Sequence, residues 1–169
     1  MTGLPADVRA ATERWIEDVV IAQSFCPYAE VPYAEEDVLI ELLPVPPEAA
    51  LAVVYRRARQ MSSRTLPETT LLTAPVGLED FAAFVDFQTL AEELLEREFP
   101  GSFVTASFHP SYTFADVEAD SPVHRIHRSP YPVLQLLRQA STAFAKTRHD
   151  AAALLARNRT RAEQLWGGD

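Results

Sequence analysis

Three short apolar runs, each stopped by a proline, alternate along this chain with longer amphipathic stretches. Residues 37–43 (Asp-Val-Leu-Ile-Glu-Leu-Leu) end at Pro44, residues 69–74 (Thr-Thr-Leu-Leu-Thr-Ala) at Pro75, and residues 103–108 (Phe-Val-Thr-Ala-Ser-Phe) at His109-Pro110. Each reads as a strand, because the runs are rich in apolar and β-branched residues and proline cannot continue a ladder. Helical spacing fills the intervals. Residues 6–24 bring Val8, Ala11, Trp15, Val19 and Ala22 round at three- and four-residue steps, with Pro27 as the stop. Residues 47–63 align Leu51, Val54, Tyr55, Ala58 and Met61 on one face, and Pro47 suits the first turn. Residues 79–99 align Phe81, Phe84, Phe87, Ala91 and Leu94 behind Glu79-Asp80, whose charge favours a helix start. A fourth helix is expected from Pro130 to Lys146, with Val133, Leu137, Ala140 and Phe144 inward. A fifth spans residues 150–166 and stops at Gly167-Gly168. Residues 26–36 and 111–128 read as irregular.

This order predicts an α/β fold in a single domain: a small parallel or mixed sheet of three or more strands, with about five helices. A length of 169 residues fits one ordinary domain.

Charge narrows the function. Acidic residues outnumber basic ones 24 to 15, for a net charge of -9, which argues against nucleic acid as a partner because phosphate contacts need a basic face. The charge is uneven: residues 1–100 carry net -11 and residues 101–169 net +2, so a small anionic ligand is expected to meet the second part. Cys26 is the single cysteine, which excludes an internal disulfide and fits a reducing compartment. Met1 to Asp7 lack a basic and then apolar leader, and no run nears about 18 apolar residues. A cytoplasmic location without a membrane partner is therefore expected. Walker, dinucleotide, zincin and nucleophile-elbow motifs are missing, and five glycines leave little for a phosphate-cradling loop. The cofactor and the oligomeric state stay unknown at this level.

If the strands are parallel, Pro44, Pro75 and His109-Pro110 lie along one edge, where open sheets bind ligands. Residues 111–128 would sit over that edge, bringing Tyr112, Asp116, Asp120, His124, His127 and Arg128. In Arg128-Ser129-Pro130-Tyr131-Pro132, Ser129 is a good N-cap and Pro130 fits the first helical position. Free N–H groups at such a start, beside the Arg128 fork, suit a carboxylate or phosphate. The competing reading is an ordinary capped helix with Arg128 paired to Asp116 or Asp120.

His109, at a strand end, is a candidate acid/base, or a histidine that simply terminates the strand. Cys26 follows the first helix, where the dipole opposes a thiolate; it is a candidate thiol or a packed wall. His124-x-x-His127 has the spacing of two ligands on one turn, yet two surface histidines in a loop explain it equally simply. Tyr112 and Tyr131 can donate hydrogen bonds in a pocket or serve as half-buried packing.

Several clusters together carry a resemblance. They are Trp15 with Cys26-Pro27-Tyr28-Ala29, Thr69-Thr70-Leu71-Leu72, Asp80-Phe81, and Ala106-Ser107-Phe108-His109-Pro110 with Tyr112 and Phe114-Ala115. Arg128-Ser129-Pro130-Tyr131-Pro132, followed by Leu134, Leu136-Leu137-Arg138 and then Asn158, completes the set. The chain resembles the bacterial family catalogued as domain of unknown function 1415 (DUF1415). The resemblance implies a small, soluble, single-domain protein and no established activity. It puts Cys26, His109, Tyr112, Arg128 and Ser129 on motif positions. It implies asparagine where this chain has His124 and His127, which weakens a His-x-x-His metal site and leaves a polar binding role.

Three functions are consistent with these residues. The first is an enzyme acting on a small anionic metabolite, with His109 moving a proton, Tyr112 assisting, Cys26 beside it, and Arg128 and Ser129 holding the anion with Tyr131, His124 and His127 near. The second is a non-catalytic protein that binds a small ligand or a partner. The third is a metal-binding protein using Cys26 and His109. A closed cleft at His109 would favour the enzyme.

Overall fold

A computed structural model describes residues 3–64 and 67–168; Met1 and Thr2 of the leader reading lie outside them. The elements are α1 (Ala6–Trp15) running on into a π-helical turn (Ile16–Ile21), α2 (Glu30–Ala34), β1 (Val38–Leu42), α3 (Pro47–Ser62), β2 (Thr69–Thr73) and α4 (Phe81–Glu98). They continue with β3 (Phe103–Phe108), a 3-10 segment (Pro122–His127), β4 (Val133–Arg138), α5 (Gln139–Arg148) and α6 (Ala151–Trp166).

The fold is α/β, around one mixed sheet in the order β1-β2-β4-β3. β1 and β2 are parallel, and β4 is antiparallel to both its neighbours, β2 and β3. β1, β2 and β3 therefore point the same way. Their carboxyl ends share one edge, as the proline stops imply, and the segment entering β4 arrives at that same edge.

β4 corrects the expected fourth helix. Val133-Leu134-Gln135-Leu136-Leu137 is a nearly continuous apolar run, and a strand paired on both sides carries such runs as readily as a buried helix does. Here pairing on two sides decides the matter: Leu72 faces Leu134 on one side and Ser107 faces it on the other. Val133, Leu134 and Leu136 are fully buried, whereas Phe144, expected inward, is 64% exposed. Pro130 and Pro132 thus precede a strand. Two smaller differences concern the start of the chain. The first helix stops in its π turn, and Ser24, at φ 55, reverses the chain before Pro27 is reached. The loop expected at 26–36 contains the short α2.

Alternation across the strands sends side chains to two layers. On one face, Leu72, Leu134 and Leu136 pack under α3 and α4 with Val54, Met61, Phe84 and Phe87. Pro47 opens α3, and the Asp80 carboxylate caps α4 by accepting the Ala83 N–H at 2.8 Å. On the other face, Trp15 and Ile16 cover Ile40, Leu71 and Val133, and Trp15 meets Phe108 edge-on at 4.9 Å. A third cluster joins Phe25, Val123, Ile126 and Ala162, so α6 holds down the 3-10 segment. Val19, in the π turn, touches the second and third clusters alike. Among the described residues no helix is long and apolar enough to cross a membrane.

Candidate functional site

The segment after β3 is pinned to the sheet edge by its own backbone. His109 N–H donates to the His127 carbonyl at 3.1 Å, Tyr112 N–H to the His109 carbonyl at 3.0 Å, and Arg128 Nε to the Tyr112 carbonyl at 3.3 Å. His109, Tyr112, His127 and Arg128 are thereby brought together, as expected for one site. His109, however, has no exposed surface among the described residues and lines neither of the two cavities described below.

His109 is fully buried, between the Phe81 and Phe84 rings. Its Nε2 lies 3.0 Å from the Leu78 carbonyl, which can only accept, so Nε2 carries the hydrogen. Nδ1 accepts the Ser111 N–H at 3.0 Å. Both ring nitrogens are engaged with backbone and shut off from solvent. In this arrangement His109 clamps the 75–80 loop to the end of β3. The same engagement leaves neither nitrogen open for a metal. Among the described residues no group of three or more His, Cys, Asp or Glu side chains is placed to hold one.

His124 follows the same pattern. Nδ1 accepts the Phe114 N–H at 3.1 Å, Nε2 donates to the Glu118 carbonyl at 2.8 Å, and the ring is buried. It is a scaffold for the 111–121 loop and not the surface histidine its loop position suggests.

His127 differs. Nδ1–H donates to the Ser107 carbonyl at 3.1 Å, while Nε2 has no partner among the described residues. The rings of Phe108, Tyr112 and Phe114 lie around it at 5.1, 4.8 and 5.0 Å. Burial pushes its pKa below the usual imidazole value, against the opposing pull of the Ser107 carbonyl. The ring is thus neutral near pH 7, fixed in one tautomer, with an open lone pair.

His127 lines a cavity of about 70 Å³ between the 3-10 segment and α6, together with Phe114, Val123, Ile126, Leu155, Asn158 and Arg159. Arg159 Nη2 holds the Asp116 carboxylate at 2.8 Å, and that pairing keeps the Asp116 carboxyl below its usual pKa. Arg159 Nε is buried without a hydrogen-bond partner among the described residues. Asn158 is committed to structure: its amide nitrogen donates to the Phe25 carbonyl at 2.8 Å and its oxygen accepts from Arg157. A larger hollow of about 330 Å³ lies across α3 and α4, lined by Leu51, Tyr55, Leu90 and Arg97 among others, none of them a motif residue.

The remaining candidates fall outside this cavity's lining. Ser129 is buried and its hydroxyl donates to the Tyr131 carbonyl, shaping the turn into β4. No helix starts there, which removes the dipole from the expected anion site. Tyr131 is half-buried in the same turn. Arg128, expected to pair with Asp116 or Asp120 or to hold an anion, keeps its terminal nitrogens without a partner among the described residues. Tyr112 is half-buried, and burial raises its phenol pKa, with the Ser107 hydroxyl opposing the shift. Cys26 lies five residues past the last helical residue, Ile21, so no helix C-terminus acts on it directly. Burial still pushes its thiol up, and the N–H groups of Tyr28 and Ala29 offset this only in part.

Arg159 was missed by sequence reasoning. The signal was present in α6: Leu155, Asn158 and Ala162 recur at helical spacing, and Arg159 borders that face. The sequence places His127 among the binding candidates and His109 as the acid/base. Sequence position alone does not tell which histidine keeps an open nitrogen.

Residues 7–167 match the model of a family described as Protein of unknown function (DUF1415). No curated protein and no solved structure matches the chain.

Proposed function

We propose, from the premise that this chain belongs to the DUF1415 family and that the family's description names no activity, that it binds a small anionic molecule without transforming it. The ligand sits in the cavity between the 3-10 segment and α6. Arg159 supplies the charge, and the open Nε2 of His127 accepts a hydrogen bond from the ligand or an intervening water. Arg128, on the same loop, adds positive potential and steers the anion.

One observation carries this reading: a cavity of about 70 Å³ has an arginine Nε–H without a partner and a fixed, neutral imidazole in its lining. A buried donor left unpaired costs roughly 1–3 kcal/mol, and an anion that takes the place of Asp116 and uncovers this nitrogen would recover it. Sealing of His109 moves the balance from an enzyme toward a binder, since the ring first assigned to proton transfer has no free atom. The implied asparagine at position 127 fits too, because an amide keeps hydrogen bonding and gives up proton transfer.

The competing reading is acid/base catalysis by His127 on the same anion. Its lowered pKa favours it, because a neutral ring with an open lone pair is a competent base. Incubating a bacterial small-molecule extract with the protein, followed by mass spectrometry, separates the two. A binder retains an anionic compound unchanged, and His127→Asn retains it as well. Depletion of a compound with appearance of a product, abolished by His127→Asn, would replace binding with catalysis.

A further inference from the structure

The walls of the cavity narrow the ligand, given the anion-binding reading above. Phe114, Val123, Ile126 and Leu155 contribute apolar surface, and His127, Asn158 and Arg159 contribute the polar atoms. Asn158 is already committed to Phe25 and Arg157, so one guanidinium edge is the donor left for a ligand, and the His127 Nε2 lone pair meets it only through a water that donates to both. A phosphate dianion needs several donors around three oxygens to replace its water. This cavity offers it four apolar walls and one arginine. A carboxylate is planar, carries a single charge and matches the paired Nε and Nη2 edge of a guanidinium. The volume of about 70 Å³ is about half of the roughly 150 Å³ that takes benzene, so a tail of a few carbons fits and a drug-sized molecule does not.

That guanidinium edge is partly occupied already. Asp116 reaches Nη2 from a carboxylate whose side chain is 70% exposed, and it leaves Nε unpaired. Asp116 belongs to the 111–121 loop, which His124 ties to the 3-10 segment, so this carboxylate and the cavity wall come from one piece of chain. An exposed carboxylate on one nitrogen is easily displaced by a ligand that takes both.

We infer that the ligand is a short aliphatic monocarboxylate whose head group displaces Asp116 from Arg159 and whose tail lies against Phe114, Val123, Ile126 and Leu155. Asp116 is then a built-in competitor that lowers the affinity of the site.

The test titrates propionate, butyrate, inorganic phosphate and, as a cationic control, propylammonium into the full chain. Binding is read by calorimetry and by the His127 ring proton signals. Propionate and butyrate are expected to bind and to shift His127, with butyrate the tighter. Asp116→Asn is expected to tighten both by about twofold to fivefold, the range of an exposed ion pair. This gain cannot arise from a misfolded variant. Arg159→Gln is expected to weaken both by about tenfold to a hundredfold, as loss of a charged hydrogen bond does. Phosphate binding more tightly than butyrate would overturn the carboxylate assignment while leaving the anion site in place. Unchanged or weaker carboxylate binding in Asp116→Asn would overturn the competitor role. If no anion in the panel binds or shifts His127 in either the parent chain or Asp116→Asn, the anion site falls together with the ligand class.

Discussion

Replacing His109 by leucine measures the clamp that this ring forms between two loops. Leucine keeps the contacts with Phe81 and Phe84 but makes neither of the ring's hydrogen bonds. Leu78 is 5% exposed, so its carbonyl has little access to water when Nε2–H is removed; that loss costs about 1–3 kcal/mol. Ser111 is exposed, so its N–H can turn to water, and losing Nδ1 costs about 0.5–1.5 kcal/mol. The more apolar leucine offsets roughly 1 kcal/mol of this. The net expectation is a loss of about 0.5–3.5 kcal/mol, or a fall in Tm of roughly 1–14 °C for a chain of this size. Equilibrium unfolding in urea reads it directly, with an unchanged slope as the sign that only stability moved. His109→Gln, whose amide nitrogen reaches toward the place of Nε2, is expected to recover part of the loss. A leucine variant within about 0.5 kcal/mol of the parent would refute the clamp, since surface substitutions alone scatter that much.

Because the folded-state pKa of His127 lies below its unfolded value, its contribution is fully present above about pH 6.5 and is lost as pH falls through the folded-state value. Unfolding free energy measured between pH 7 and 5 should therefore fall more steeply in the parent than in His127→Asn; equal slopes would contradict this. Thr73→Val removes a fully buried hydroxyl that has no partner among the described residues, so stability should stay level or rise by up to about 1 kcal/mol. A loss of more than that in thermal unfolding would show that the hydroxyl is paired in solution. Asp150→Ala removes the cap that accepts from Ala152 and Ala153 N–H at 2.9 and 3.2 Å. It should cost about 1 kcal/mol, seen as earlier hydrogen exchange in the first turn of α6.

The parts of the fold that were legible in the residues have local causes. Proline stops marked the ends of β1, β2 and the turn after β3, and Pro47 and the charge of Glu79-Asp80 marked two helix starts. β4 was illegible because its identity depends on partners far along the chain. Val133 to Leu137 satisfy helical spacing and a buried strand equally well, and only Thr73 and Phe108 on either side settle which applies. The candidate site divides the same way. The edge that gathers His109, Tyr112, His127 and Arg128 followed from strand ends. Which imidazole nitrogen stays open depends on where the Leu78, Ser107 and Glu118 carbonyls come to rest, and those positions are tertiary. Arg159 is tertiary as well, placed by α6 packing on a segment more than thirty residues earlier in the chain.

The central place of β4 also shapes how the sheet is assembled during synthesis. Of the four described strands it is the last to leave the ribosome, and it lies between two made before it. Until residues 133–138 emerge, β1 and β2 can pair, while β3 has no strand beside it and β2 keeps an open edge. A nascent chain stalled before this point leaves uncovered the two strand edges that β4 later joins, one on β2 and one on β3, the form most exposed to pairing with other chains. Completion of the sheet is thus a late insertion, and translation pauses between β3 and β4 would lengthen the interval in which the chain depends on a chaperone.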